Sequence, residues 1–323
     1  MVGPLRIVFL GTPQFAVPTL NALLASRHRV CGVVTQPDRA RGRGQRVTHS
    51  PVKALAVERG LPVLQPTRLA DAEVAATLRS WAVDLGVVAA YGKLIPESLL
   101  ALPRLGMINV HASLLPKYRG AAPVHRAVIN GDAETGVTIM RVERRLDAGP
   151  MLAKAVRPIG PDDTSDAVEY DLARLGASLL VEAADQLAAG TAHEEAQDDS
   201  ESSHAPRLTK DEGLIDWSLT AFGIHNRVRG LYPWPHAYTY LGSSRLIVLK
   251  TRVEHDSTAA APGTVVDIAR DALHVATGHQ GCLAIERLQR EGGRPLSTRE
   301  FLAGHDITVG ARLGGPAQAS PRP

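Results

Sequence analysis

The 323-residue chain contains only two cysteines, Cys31 and Cys282, far apart and in no CxxC pair. That scarcity argues against a disulfide framework and a cysteine zinc site. Both are expected as buried structural thiols in a reducing cytoplasm. Long hydrophobic runs are also missing, and none approaches the ~18 residues of a membrane span. The start, MVGPLRIVFLG, lacks the separate apolar core and cleavage site of a signal peptide and enters a strand directly. The glycines of GxGxxG are absent after that strand, and no Walker A sequence occurs. Gly11-Thr12-Pro13 therefore reads as a plain strand-to-helix turn lining a cleft, not a dinucleotide or triphosphate site. No internal repeat is present.

What remains is the composition of an ordinary globular protein, 44% hydrophobic and 21% charged, long enough for two domains. Residues 1–190 alternate short apolar runs with helical patterns. Leu5–Leu10, Arg29–Val34, Leu85–Ala90, Gly106–Val110 and Val137–Val142 read as buried parallel strands. A helix is expected from Ser50-Pro51, with serine as cap and proline in the first turn. Others should follow Ala122-Pro123 and run from Asp166 to about Leu187, with Asp166 and Glu169 as a capping box. The alternation predicts a doubly wound α/β, Rossmann-like domain. Residues 191–206 are acidic and aperiodic, the pattern of an exposed linker. Beyond it, Arg245–Lys250, Gly263–Ile268, Ala272–Ala276 and Cys282–Leu288 alternate as short strands, which predicts a small OB-like β-barrel over 207–315. The tail, 316–323, is rich in Gly, Ala and Pro and is expected to fray.

Charge follows the same division. Residues 1–190 carry 22 basic and 17 acidic side chains, 191–206 carry none and 5, and 207–323 carry 14 and 11. Two mildly basic bodies around an acidic link suit a polyanionic partner. Thr35-Gln-Pro-Asp38-Arg39-Ala-Arg41-Gly-Arg43-Gly-Gln-Arg46 packs four arginines and two glycines into one loop. A solvated basic loop is the plain explanation, but guanidinium groups also suit phosphate contact and stacking on unpaired bases. Ala221–Arg229 reads as a basic helix, Tyr232-Pro-Trp234-Pro235 as a packed rigid corner, and Ile215-Asp216-Trp217 as a structural join.

The chemistry concentrates near Asn109 and His111. Two apart on a strand, their side chains share a face, at the carboxyl end where open α/β sheets bind ligands. Asparagine is an uncharged donor for a developing oxyanion, and histidine exchanges protons near neutral pH. The following turn, Ser113-Leu114-Leu115-Pro116, can wall a planar ligand. Leu146-Asp147-Ala-Gly149 lies just beyond another strand, and an aspartate brought beside His111 would orient the ring. These residues point to acyl-type transfer.

Taken in order, GTPQFA (from Gly11), TQPDRARGRG (Thr35), SPVK (Ser50), VVAAYG (Val87), NVHASLLPKYRGAAP (Asn109), GDAETGVTIM (Gly131), LDAGPM (Leu146), IDW (Ile215), PWP (Pro233) and APGT (Ala261) resemble the methionyl-tRNA formyltransferase family. The resemblance implies formyl transfer from 10-formyltetrahydrofolate, a co-substrate, to the α-amino group of methionyl initiator tRNA, supplying formylmethionyl-tRNA for translation initiation. It implies a cytoplasmic monomer that needs no metal. Asn109, His111 and Asp147 match the family's catalytic trio; Ser113, Leu114, Leu115 and Pro116 its folate-binding turn; Arg41 and Arg43 its tRNA-entering loop. The barrel is then expected to bind tRNA as well. Ala112 and Ala148 stand where Gly and Thr are common, and Gly292-Gly293-Arg294 replaces the usual GKK turn. Rival readings are formylation of an amino sugar nucleotide or a glycinamide ribotide, formyl-folate hydrolysis, and RNA binding without catalysis.

Overall fold

The computed structural model describes residues 3–41 and 46–315. Arg43 and the tail at 316–323 lie outside the described residues. Two compact units are resolved: the described parts of 1–123, 134–158 and 168–206 form the first, and those of 124–133, 159–167 and 207–323 the second.

In chain order the α/β portion comprises β1 (Arg6–Gly11), α1 (Val17–Ala25), β2 (Arg29–Val34), β3 (Arg39–Arg41), β4 (Arg46–Thr48), α2 (Pro51–Glu58), β5 (Val63–Leu64), α3 (Ala72–Ser80), β6 (Leu85–Ala89), α4 (Glu97–Leu100), β7 (Met107–His111), β8 (Arg119–Gly120), α5 (Pro123–Asn130), β9 (Glu134–Arg141), β10 (Met151–Pro158), α6 (Ser165–Ala189) and β11 (His204–Ala205). Seven strands form one sheet in the order β10-β9-β7-β6-β1-β2-β5. Ile7, Val8, Phe9 and Leu10 are all fully buried, as in a strand covered on both faces. The Rossmann-like arrangement holds from β7 to β5, where every pairing is parallel. At β9 the expectation of a parallel strand fails: β9 runs antiparallel to β7, and β10 antiparallel to β9. A continuous apolar run reads the same in both directions, so periodicity carries no information on polarity.

Local chemistry explains the start of α2. Ser50 caps α2 by accepting from Lys53 N, with Pro51 in the first turn, which supplies a partner for an amide that the helix leaves unbonded. The long helix begins at Ser165, so Asp166, expected as its cap, lies inside its first turn. The half-buried Cys31 departs from the buried-thiol expectation, because it occupies the less covered face of β2. Cys282 is buried, and burial pushes its thiol up.

The second unit is built on α7 (Ala221–Gly230), β12 (Ala237–Leu241), β13 (Ser244–Glu254), β14 (Val265–Ile268), β15 (Leu273–Ala276), β16 (Cys282–Arg290), β17 (Leu296–Ser297), α8 (Thr298–Leu302) and β18 (Leu313–Gly314). The antiparallel order is β14-β15-β16-β13-β12-β18. Leu313 pairs with Leu241 at one edge and donates to Gly263 O beside the other at 2.7 Å, while Val265 N donates to Ala311 O. The sheet thus curls closed into the expected barrel, which removes its free edges. The α7 helix is less basic at its surface than its sequence suggests. Arg229 is buried, donating to Gly160 O and Asp163 O, and Arg227 donates to Glu212 O. Residues 124–133 group here: His125 Nδ1 bonds Gly230 O at 2.8 Å, and Arg126 pairs with Glu212. Trp217 is buried with its indole donating to Thr239 Oγ1, whereas Trp234 is 47% exposed. The expectation of a packed Trp234 therefore fails, since the flanking prolines shape its backbone without covering its ring.

Candidate active site

In the parallel core, β7 lies between β6 and β9, with Asn109 opposite Val88 on one side and Met140 on the other. His111, the last residue of the strand, is opposite Thr138. The residue is 5% exposed, and its ring Nε2 lies 3.0 Å from the carbonyl oxygen of Tyr118. A carbonyl can only accept, so Nε2 carries hydrogen and Nδ1 is the ring's acceptor nitrogen. That Nδ1 faces Asp147 Oδ2 at 3.7 Å, longer than a hydrogen bond. The ring nitrogen is thus near the carboxylate without being consumed by it. The half-buried Asn109 has no hydrogen-bond partner for its side-chain amide among the described residues. An uncommitted amide at a strand's carboxyl end is free to serve a ligand.

Asp147 occupies the turn between β9 and β10, in the left-handed region at φ 49°, a conformation that costs a non-glycine residue free energy unless its surroundings hold it. Its Oδ2 accepts from Gly120 N at 2.9 Å. Gly149 closes the same turn; a Cβ there would run into the carbonyl of Arg141. The LDAG spacing follows from these two demands, a carboxylate aimed inward and a backbone passing close to β9.

The Ser113–Pro116 turn is built from behind. Thr138 Oγ1 donates to Ser113 O at 2.8 Å and accepts from Leu115 N at 3.1 Å. Ser113 is fully buried, its hydroxyl donating to Lys117 O at 2.6 Å. Leu115 packs with Met140 and Met151, Pro116 is buried and Leu114 is half-buried. The side chain of Leu114 occupies the space that a Cβ on Gly136 would need. The turn therefore offers a ligand its backbone and the edge of Leu114. Leu146, beside Asp147, is an exposed apolar side chain, and so is Leu94, 72% exposed, in the loop after β6.

The arginine loop starts from a rigid base. Asp38 Oδ2 pairs with Lys53 Nζ at 2.5 Å, and Oδ1 accepts from Gln65 Nε2 at 2.9 Å. These bonds, Lys53 foremost, pull the Asp38 carboxyl down to about 2. From there the backbone forms the β3–β4 hairpin, in which Arg41 pairs with Arg46. Among the described residues, no group of three His, Cys, Asp or Glu side chains is placed to hold a metal ion.

Residues 5–184 match the formyl transferase family and 207–306 its C-terminal domain. Methionyl-tRNA formyltransferases of Trichlorobacter lovleyi and Methylococcus capsulatus are 46% and 47% identical over 308 and 310 residues. The alignments cover 95% and 96% of this chain and 96% and 100% of those proteins. The chain belongs to the methionyl-tRNA formyltransferase family. Solved structures with the same fold include the Helicobacter canadensis N-formyltransferase complexed with folinic acid and dTDP-3-aminofucose. It has TM-score 0.66 and 16% identity, covering 87% of this chain and 98% of that one. HypX of Aquifex aeolicus with tetrahydrofolic acid has TM-score 0.61 and 16% identity, covering 93% and 47%.

Sequence reasoning singled out Asn109, His111 and Asp147 as candidates, and the fold brings His111 and Asp147 together. It missed Tyr118, whose carbonyl selects the imidazole tautomer, and Thr138, which pins the Ser113–Pro116 turn. The position of Thr138 opposite His111 was the available signal, once β9 is known to pair with β7.

Proposed function

We propose that this protein transfers the formyl group of 10-formyltetrahydrofolate to the α-amino group of methionyl initiator tRNA. The observation that carries the reading is the constellation at the end of β7: an uncommitted Asn109 amide, and a His111 ring whose Nδ1 is free beside Asp147. The neutral amine attacks the formyl carbon, and the carbonyl oxygen becomes an oxyanion to which Asn109 donates. Proton transfer from the nascent ammonium runs to His111 Nδ1, because Nε2 is committed to Tyr118 O. Asp147 stabilises the imidazolium so formed. Return of the proton to N10 of the folate lets the C–N10 bond break and the carbonyl re-form, leaving tetrahydrofolate and formylated methionine.

In this reading Ser113, Leu114, Leu115 and Pro116 form the folate-facing turn, with Leu146, next to Asp147, as an apolar border. Arg41 and Arg43 contact tRNA phosphates or unpaired bases, in a segment that follows the clamped Asp38. A catalytic domain over 1–190 and a tRNA-binding barrel over 207–315 act as parts of a cytoplasmic monomer. The test is a comparison of acceptors at fixed 10-formyltetrahydrofolate: initiator methionyl-tRNA, elongator methionyl-tRNA, an amino sugar nucleotide and a glycinamide ribotide. Formylation of the initiator methionyl-tRNA above the others is expected. A preference for either small amine would move the protein to the rival substrate class.

A further inference from the structure

The acidic stretch between the two family-matching regions runs along the first unit, bonded to it at intervals. Glu195 and Met151 exchange two backbone bonds of 2.8 and 2.9 Å. Ser203 Oγ accepts from Tyr118 N at 2.9 Å, Ser203 O accepts from Arg119 N at 2.9 Å, and β11 pairs in parallel with β8. Gln197 is half-buried among exposed neighbours. Its Nε2 donates to Asp147 O at 3.0 Å and to Gly149 O at 2.7 Å. Its Oε1 accepts from Arg119 Nε and Nη2 at 3.0 and 2.8 Å. Asp199 extends the tie to Arg145 and Arg119, whose guanidinium groups hold its carboxyl below the ordinary range.

The two residues that flank the His111 ring are the ones this strand holds. Tyr118, which supplies the carbonyl for Nε2, has φ 63°, and Asp147, which faces Nδ1, has φ 49°. Both are non-glycine residues in the left-handed region, a conformation kept only when the surroundings over-determine it. Ser203 fixes the amide of the first and Gln197 the carbonyl of the second.

We infer that residues 195–205 are a strap belonging to the active site, with Gln197 a positioning residue that holds the Asp147 carboxylate in register with His111. This rests on the formyl-transfer reading. Gln197 uses every polar atom of its carboxamide, so two substitutions separate its roles. Gln197→Glu retains an acceptor for Arg119 and loses both donors to the Asp147 turn, and Gln197→Met loses all of them without adding charge.

The experiment is steady-state formylation by the full-length wild type and both variants, varying donor and methionyl-tRNA separately, with thermal unfolding alongside. Displacing a catalytic group by about 1 Å costs on the order of 10²-fold. The expected result is therefore a kcat about 10²-fold lower in both variants, KM values within about twofold of wild type, and little change in Tm. Wild-type-like kcat in both variants overturns the inference, as does activity retained in Gln197→Glu alone, which would make Arg119 the only partner that matters. A rise in tRNA KM with kcat unchanged would make the strap a binding element, and unfolding of both variants would make it merely structural. An inactive wild type would instead sink the formyl-transfer reading itself.

Discussion

Replacing Asn109 by alanine isolates the electrostatic part of the mechanism. The amide is half-buried and bonds to nothing else among the described residues, so its loss orphans no buried group. The stability change should stay within about 0.5 kcal/mol, as for substitutions that break no native interaction. In a chain of this size that is a Tm shift of roughly 1–2 °C. If Asn109 serves the oxyanion, removing that donor costs about 10²–10³-fold in kcat, roughly 2.7–4 kcal/mol. KM for donor and tRNA should hardly move, because the interaction exists only once charge has developed. Asn109→Asp sharpens the test, since a near-isosteric carboxylate opposes the oxyanion and should be slower still. The assay is formylation kinetics with calorimetry on the same preparations. A kcat within about threefold of wild type, or a loss expressed wholly in KM, would refute the oxyanion role.

Other outcomes follow from named contacts. Asp147→Asn retains an acceptor for Gly120 N but removes the charge facing His111, so kcat should fall about 10²–10⁴-fold with the folded state intact by circular dichroism. Arg41→Ala and Arg43→Ala should raise tRNA KM and flatten its dependence on salt while donor binding, measured by fluorescence quenching, stays unchanged. Lys53 and Gln65 hold the Asp38 carboxyl down to about 2, so its stabilisation is complete above the ordinary carboxylate range near 4 and lost as pH falls toward 2. Asp38→Asn should weaken the acid dependence of the urea midpoint between those values. Gly136→Ala should cost about 1–3 kcal/mol by overpacking against Leu114 and Ala155 O, read as a lower urea midpoint.

The candidate site on β7 was legible because its pattern is local. Asn109 and His111 stand two apart on a short apolar run, and the strand's period of two sets them on one face. Ser50-Pro51 announced the start of α2 in the same way, since a cap needs only neighbouring residues. Illegible features are those set by partners distant in sequence. Strand β9 runs antiparallel to β7, and nothing in an apolar run records direction. Ser113 looks available in a polar-apolar turn, yet it is buried with its hydroxyl on Lys117 O, because Thr138 draws the turn down onto β9. Trp234 lies between prolines and still exposes 47% of its surface. Residues 191–206 read as linker by composition, and only their pairing with β8 and the Asp147 turn shows where they run.

The central claim is that the end of β7 moves a formyl group from folate to an amine carried on tRNA. A single-turnover reaction with donor labelled in the formyl carbon tests it most directly, by following the label and tetrahydrofolate together. The account predicts label on the methionine amine of initiator methionyl-tRNA, appearing in step with tetrahydrofolate and absent when tRNA is omitted. Label released as formate at the same rate with or without tRNA would contradict it and identify a hydrolase instead.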